Sequence, residues 1–188
     1  MLATGFARAD VEDEFLRARR HQVMAALAHR LGGGRADADR MLVLDEVVGA
    51  LGRRGQRYLG LRMVRLDTIV GTAESRSDFD RRFRPTSDRV RSRWEQVALA
   101  QRRGAAMPPV DLYRVGDLHF VQDGHHRVSV AAAIGQQVIE AYVTEVLTVA
   151  PTAVSAAAGA ASRWSAGKRG LHAPWLRSRA GTCRRCGR

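Results

Sequence analysis

Cysteine is nearly missing from the chain. Its two copies, Cys183 and Cys186, both fall at the extreme C-terminus, so no disulfide framework supports the fold and a hydrophobic core must do so. Long apolar runs are missing as well. The most apolar stretch near the C-terminus, 149–161, consists mostly of Ala, Gly, Ser and Thr, too short and too poor in bulky side chains to span a bilayer, so no membrane association is expected. Where a secretory signal would need an apolar run, the N-terminus carries Asp10, Glu12, Asp13 and Glu14; export is not indicated and a cytoplasmic protein is the default expectation. Lysine is reduced to Lys168, so almost every one of the 31 basic residues is an arginine.

What is present reads as globular. Hydrophobic residues make up 45% and charged residues 27% of 188 residues, enough for one ordinary domain with appendages and a real core. The formal net charge is +12, which favours a polyanionic partner such as nucleic acid or a nucleotide. The charge is uneven, however. Residues 149–188 hold eight basic residues and no acid, leaving 23 basic against 19 acidic residues, or +4, for 1–148. Most of the excess therefore belongs to a C-terminal basic tail.

Along the chain, Val11, Phe15, Leu16, Val23, Leu27 and Leu31 recur at helical spacing from Asp10 onward, until Gly32, Gly33 and Gly34 end the pattern. A second helix is predicted over Leu44 to Leu51, closed by Gly52, with a basic turn at Arg53 to Arg57. The expected division is a helical extension at 1–58, an α/β domain at 59–148 and a disordered basic tail at 149–188. The extension's first helix is expected to pack on the main domain or on a second subunit rather than to serve as a DNA arm. Met63, Val64, Leu66, Ile69 and Val70 read as a strand running into a turn at Gly71, followed by a polar loop from Thr72 to Arg84. Pro85, Thr86 and Ser87 can open a helix through Trp94 to Gly104. Val110 to Val115 and Leu118 to Val121 flank a hairpin turn at Gly116-Asp117. A helix through Val128 and Ile134 to Gly135, then a strand from Val138 to Val146, complete the pattern. Strand, helix, strand, strand, helix, strand implies a compact α/β domain with a mixed sheet. The tail beyond Val149 lacks the bulky apolar residues that would offset its ordering entropy.

One constellation carries chemistry. Asp123-Gly124-His125-His126-Arg127 falls where a strand hands over to a helix. There the first free backbone N–H groups and the positive end of the helix dipole favour an anion. Gly124 permits a sharp turn and the close approach of a phosphate, and Arg127 can fork onto two oxygens. His125 and His126 can donate hydrogen bonds or move protons near neutral pH. A structural pair of histidines is the competing reading of the same residues.

This stretch, within Val110 to Val146, resembles the ParB/sulfiredoxin superfamily, and Val64-Arg65-Leu66-Asp67-Thr68-Ile69-Val70 is similar to that family's first strand. The resemblance implies a small α/β fold whose Gly-x-x-Arg turn binds nucleotide phosphates, here Gly124, His125, His126 and Arg127, with Asp123 before them. The implied ligand is a nucleoside triphosphate or diphosphate (CTP, ATP or ADP), with or without magnesium. Sulfiredoxins carry a redox cysteine directly after the glycine, where this chain has His125, so peroxiredoxin repair is not expected. Chromosome-partitioning ParB proteins carry Glu-Arg where this chain has His125-His126, and continue into a helix-turn-helix domain. Asp-Gly-His-His-Arg looks most like the motif of the nucleotide-dependent free serine kinases.

Three readings of function follow. The first is a nucleotide-binding module acting as a switch or a DNA-associated regulator, able to form a homodimer. The second is a phosphotransferase or a nucleotide hydrolase or nuclease; phosphoryl transfer needs a group to orient the attacking hydroxyl, and His126, Glu74, Asp78 and Asp80 are the candidates, the three acids by location alone. The third is non-specific binding of DNA or RNA through the basic tail. Cys183 and Cys186 have the spacing of half a zinc ribbon, but zinc needs four ligands and the chain has no second pair, so no metal site is assigned.

Overall fold

A computed structural model describes residues 7–31, 40–74 and 78–149. The tail beyond 149 and the cysteine pair in it lie outside the described residues, as do Gly32, Gly33 and Gly34. The elements are α1 (Ala7–Leu31), β1 (Leu42–Val43), α2 (Leu44–Leu51), β2 (Arg53–Arg65), β3 (Ile69–Thr72), α3 (Arg91–Arg102), β4 (Val110–Val115), β5 (Leu118–Asp123), α4 (His125–Ala133) and β6 (Val138–Thr148), with 3-10 turns at Leu66–Thr68 and Asp88–Val90. They form one mixed sheet in the order β1-β3-β5-β4-β6-β2. The pairs β1·β3, β3·β5 and β4·β6 are parallel, whereas β4·β5 and β2·β6 are antiparallel. The expected α/β architecture with a mixed sheet and an N-terminal helix is what the chain adopts.

Helices α1, α3 and α4 cover one face of the sheet. Val11 and Phe15 of α1 are fully buried, and the Phe15 ring meets Trp94 of α3 edge-on at 5.5 Å. Arg102 of α3 reaches back to Asp10 at 3.1 Å and to Glu14. The first helix is therefore part of the core, packed against α3. Helix α2 covers one end of the other face, where Leu44 and Val48 join Val70, Leu118, Phe120 and Val146.

The central sheet departs from expectation in two places. Arg53 to Arg57, expected as a basic turn, begins a 13-residue strand that runs past the expected domain boundary at 58/59. Arginine is tolerated there because β2 is an edge strand with most of its side chains in solvent. The register with β6 also gives Arg57 an acidic partner, Glu145, at 2.7 Å. The second departure is the strand expected through Val70 into a turn at Gly71. A 3-10 turn at Leu66–Thr68 divides it, and Gly71 lies inside β3. Gly71 pairs with Leu42 of β1, and a Cβ on it would stand 2.2 Å from the Leu42 carbonyl oxygen. Close approach of a neighbouring strand, not a turn, requires the glycine.

Candidate functional site

Strand β5 ends at Asp123 and helix α4 begins at His125, with Gly124 between them at φ 99, ψ 23. That left-handed conformation is costly for any side-chain-bearing residue. Space forbids one as well, because a Cβ on Gly124 would stand 2.6 Å from Val110 Cγ1. The N-cap residue, Gly124, has no side chain with which to cap α4, and the first turn holds no acid.

Arg127 folds back beneath this turn. Its Nη1 donates to the carbonyls of Pro108 and Pro109, the latter at 2.6 Å, and its Nη2 donates to Asp123 Oδ2 at 2.7 Å. The guanidinium is mostly buried at 15% exposure, while the Asp123 side chain is 72% exposed. Arg127 therefore fixes the segment leading into β4 against the start of α4, with the Pro108 carbonyl and the Asp123 carboxylate both on its solvent side. An exposed ion pair of this kind is weak and exchangeable.

The two histidines differ. His125 is buried, with Nε2 2.8 Å from Thr72 Oγ1 at the end of β3. The Thr72 hydroxyl also lies 3.4 Å from the Val121 carbonyl, so Thr72 links the end of β5 to the His125 ring. His126 is half-buried. Phe79 lies against both, stacked on His125 at 6.5 Å and edge-on to His126 at 5.3 Å. Thr72 and Phe79 are the residues that sequence reasoning did not connect to the turn. An aromatic side chain inside an otherwise polar loop was the available signal for Phe79. Thr72 offered none, since only the parallel pairing of β3 with β5 brings it there.

The candidate acids are placed apart from one another in role. Asp80 is buried; its Oδ1 accepts from the backbone N–H of Arg82 and of Arg84, both at 2.9 Å, and its Oδ2 accepts from Arg84 Nε at 2.8 Å and Nη2 at 2.7 Å. Those four bonds employ its carboxylate in holding its own loop. Asp78 ties the same loop through its backbone carbonyl, which accepts from Thr86 N–H at 2.9 Å. Glu74 is exposed, two residues beyond β3. The structure thus groups His125, His126, Phe79 and Thr72 at the turn, and leaves Asp80 in the loop beside it.

A third histidine, His119 on β5, lies away from this group, with Nδ1 2.9 Å from Thr68 Oγ1. Burial, helped by the nearby charge of Arg114, pushes its pKa down to about 4. Among the described residues no three His, Cys, Asp or Glu side chains are grouped to hold a metal ion, and no helix is long and apolar enough to cross a membrane.

No protein-family model matches the chain, and no curated protein does. Among solved structures, the crystal structure of sulfiredoxin from Arabidopsis thaliana matches over 44% of this chain and 82% of that chain, at 14% identity and a TM-score of 0.32. A likeness at this level extends to no activity, substrate or site residue.

Proposed function

We propose that the chain is a nucleotide-binding module of the ParB/sulfiredoxin-like kind, in which the turn from Asp123 to Arg127 receives the phosphates of a nucleoside triphosphate or diphosphate and the bound state acts as a regulatory switch. The observation that carries this reading is the start of α4, where a left-handed Gly124, a residue with no side chain to occupy the space, forms the N-cap. The backbone N–H groups of the first turn supply donors, and the helix dipole supplies the charge preference. Arg127 supplies a fixed guanidinium one turn further on. A phosphate oxygen can take the place of the exposed Asp123 carboxylate on Arg127 Nη2, which would couple ligand binding to release of the Asp123 side chain. The net charge of +12 supports a polyanion such as DNA as the partner that such a switch would control.

Isothermal titration of CTP, ATP, ADP and GTP, each with magnesium, into the wild type and Arg127→Ala tests the reading, with product analysis on the same samples. Saturable binding that is lost in Arg127→Ala, without product, is the expected result. Undiminished binding by that variant overturns it. Release of nucleoside diphosphate from a triphosphate would instead favour the phosphotransferase or hydrolase reading, with His126 as the first residue to replace.

A further inference from the structure

Helix α1 is apolar on two sides, although a helix laid on a domain needs one apolar stripe. The first side, with Val11 and Phe15, is fully buried. The second carries Leu16, Val23 and Leu27 at 39%, 49% and 48% exposure, with the exposed Met24 beside them. This second side has a fixed rhythm. Asp13, Leu16, Arg20, Val23 and Leu27 advance by 3, 4, 3 and 4 residues and all are exposed, and the next step falls on residue 30, an arginine. That is the a/d spacing of a seam between two helices.

The same helix is divided in charge. Residues 10–14 hold Asp10, Glu12, Asp13 and Glu14, whereas residues 15–31 hold Arg17, Arg19, Arg20 and Arg30 and no acid. On the domain side, Arg102 of α3 engages Asp10 and Glu14. Glu12 stands 3.8 Å from Arg8 and 4.0 Å from Arg91. Asp13 is the acid that lies on the exposed seam.

Rhythm and charge together select one occupant. Laid antiparallel against a second copy of α1, the seam falls into register about a point between residues 21 and 22. Leu16 then meets Leu27 of the second copy, Arg20 lays its apolar stem over Val23, and Asp13 comes level with Arg30. Each layer recurs with the roles exchanged, as a two-fold axis requires. A parallel pairing would instead set Asp13 on Asp13 and Arg20 on Arg20, like charges facing each other. An anionic lipid surface suits the arginines but repels Glu12 and Asp13 at one end of the stripe.

From this self-complementarity we infer that the exposed side of α1 is a homodimer interface, covered by the antiparallel α1 of a second copy. The helix is already held by Val11 and Phe15, so pairing does not carry the cost of forming a helix in isolation. A seam of about two heptads is short, and the association is correspondingly weak and dependent on concentration. The inference goes beyond the nucleotide reading and needs no ligand at the Gly124 turn.

The test is sedimentation velocity of the full chain over a concentration series without nucleotide. The expected result is a monomer–dimer equilibrium whose dissociation constant rises by about tenfold or more in Leu27→Glu, which buries an unpaired charge in the seam. Asp13→Arg should weaken the dimer by a similar factor, and Asp13→Arg combined with Arg30→Asp should restore it. That restoration separates a lost interface from a lost fold. A monomer at every concentration, or a dimer indifferent to Leu27→Glu, would overturn the assignment. So would an Asp13→Arg variant that dimerises as well as the wild type, which is what a parallel pairing predicts. Binding of a monomeric wild type to phosphatidylglycerol vesicles, abolished by Leu27→Glu, would assign the stripe to a lipid surface instead.

Discussion

The turn at 123–127 and the loop at 78–87 are neighbours, both are short and both are rich in charge, yet they use their charge in opposite ways. The loop spends it internally. Asp80 accepts four bonds from its own segment and from Arg84, and Arg84 continues to the backbone of α1. The turn opens its helix on a glycine and pairs the mostly buried Arg127 with the exposed Asp123 carboxylate. The buried carboxylate is bonded within its own loop, whereas the exposed one pairs with a mostly buried guanidinium and faces solvent.

The sharpest way to break this comparison is Asp80→Ala. It leaves Arg84 mostly buried without its counter-charge, and the expected loss of stability is roughly 3–5 kcal/mol, read from urea unfolding. If the variant unfolds at the wild-type midpoint, Asp80 is not the anchor of its loop. At the turn, Gly124→Ala should cost about 2–3 kcal/mol, because a methyl group meets Val110 and the backbone is held at positive φ. Loss of ADP binding in protein that still unfolds cooperatively would tie that glycine to the ligand as well as to the fold.

A pH series adds the histidine outside both segments. His119 is held down at about 4 from an ordinary 6.5, so between those values the unfolded chain binds a proton that the folded chain does not. Stability present above pH 6.5 is then lost as pH falls towards 4, by at most about 3 kcal/mol. His119→Gln should flatten that part of the profile, and an unchanged slope would assign it to other groups. Thr72→Val removes the buried partner of His125 and should cost about 1–2 kcal/mol, with the shift seen in the His125 ring signals rather than in those of His119. The smallest effect is expected from Asp123→Asn: removing the competing charge should raise affinity for ADP by roughly two- to fivefold with little change in stability. A fall in affinity would make Asp123 part of the ligand's binding set.

Local features of the sequence account for one of these two segments. The order Asp-Gly-His-His-Arg between an apolar strand and an apolar helix shows a glycine-led helix start, since the glycine and the periodicity are both local. Most of the helices, the hairpin at Gly116 and the closing strand were readable for the same reason. The loop was not, because the role of Asp80 depends on where Arg84 turns, and that depends on Phe83 adopting a conformation its type seldom takes. Gly71 misled in a related way. It sits in a strand because Leu42 comes within 2.2 Å of where its Cβ would be, a contact between residues nearly thirty positions apart. The arginines at the start of β2 read as a turn until the register with β6 supplies Glu145.

The burial of Val11 and Phe15 also bears on how the molecule can be divided. Helix α1 precedes every strand in the chain, yet its apolar face completes the core against α3. A chain cut between α1 and β1 would yield two pieces with matching surfaces rather than an intact domain and a spare end. Neither piece would bury its apolar face until the two reassemble, so the first helix is as much a part of the folded unit as any strand.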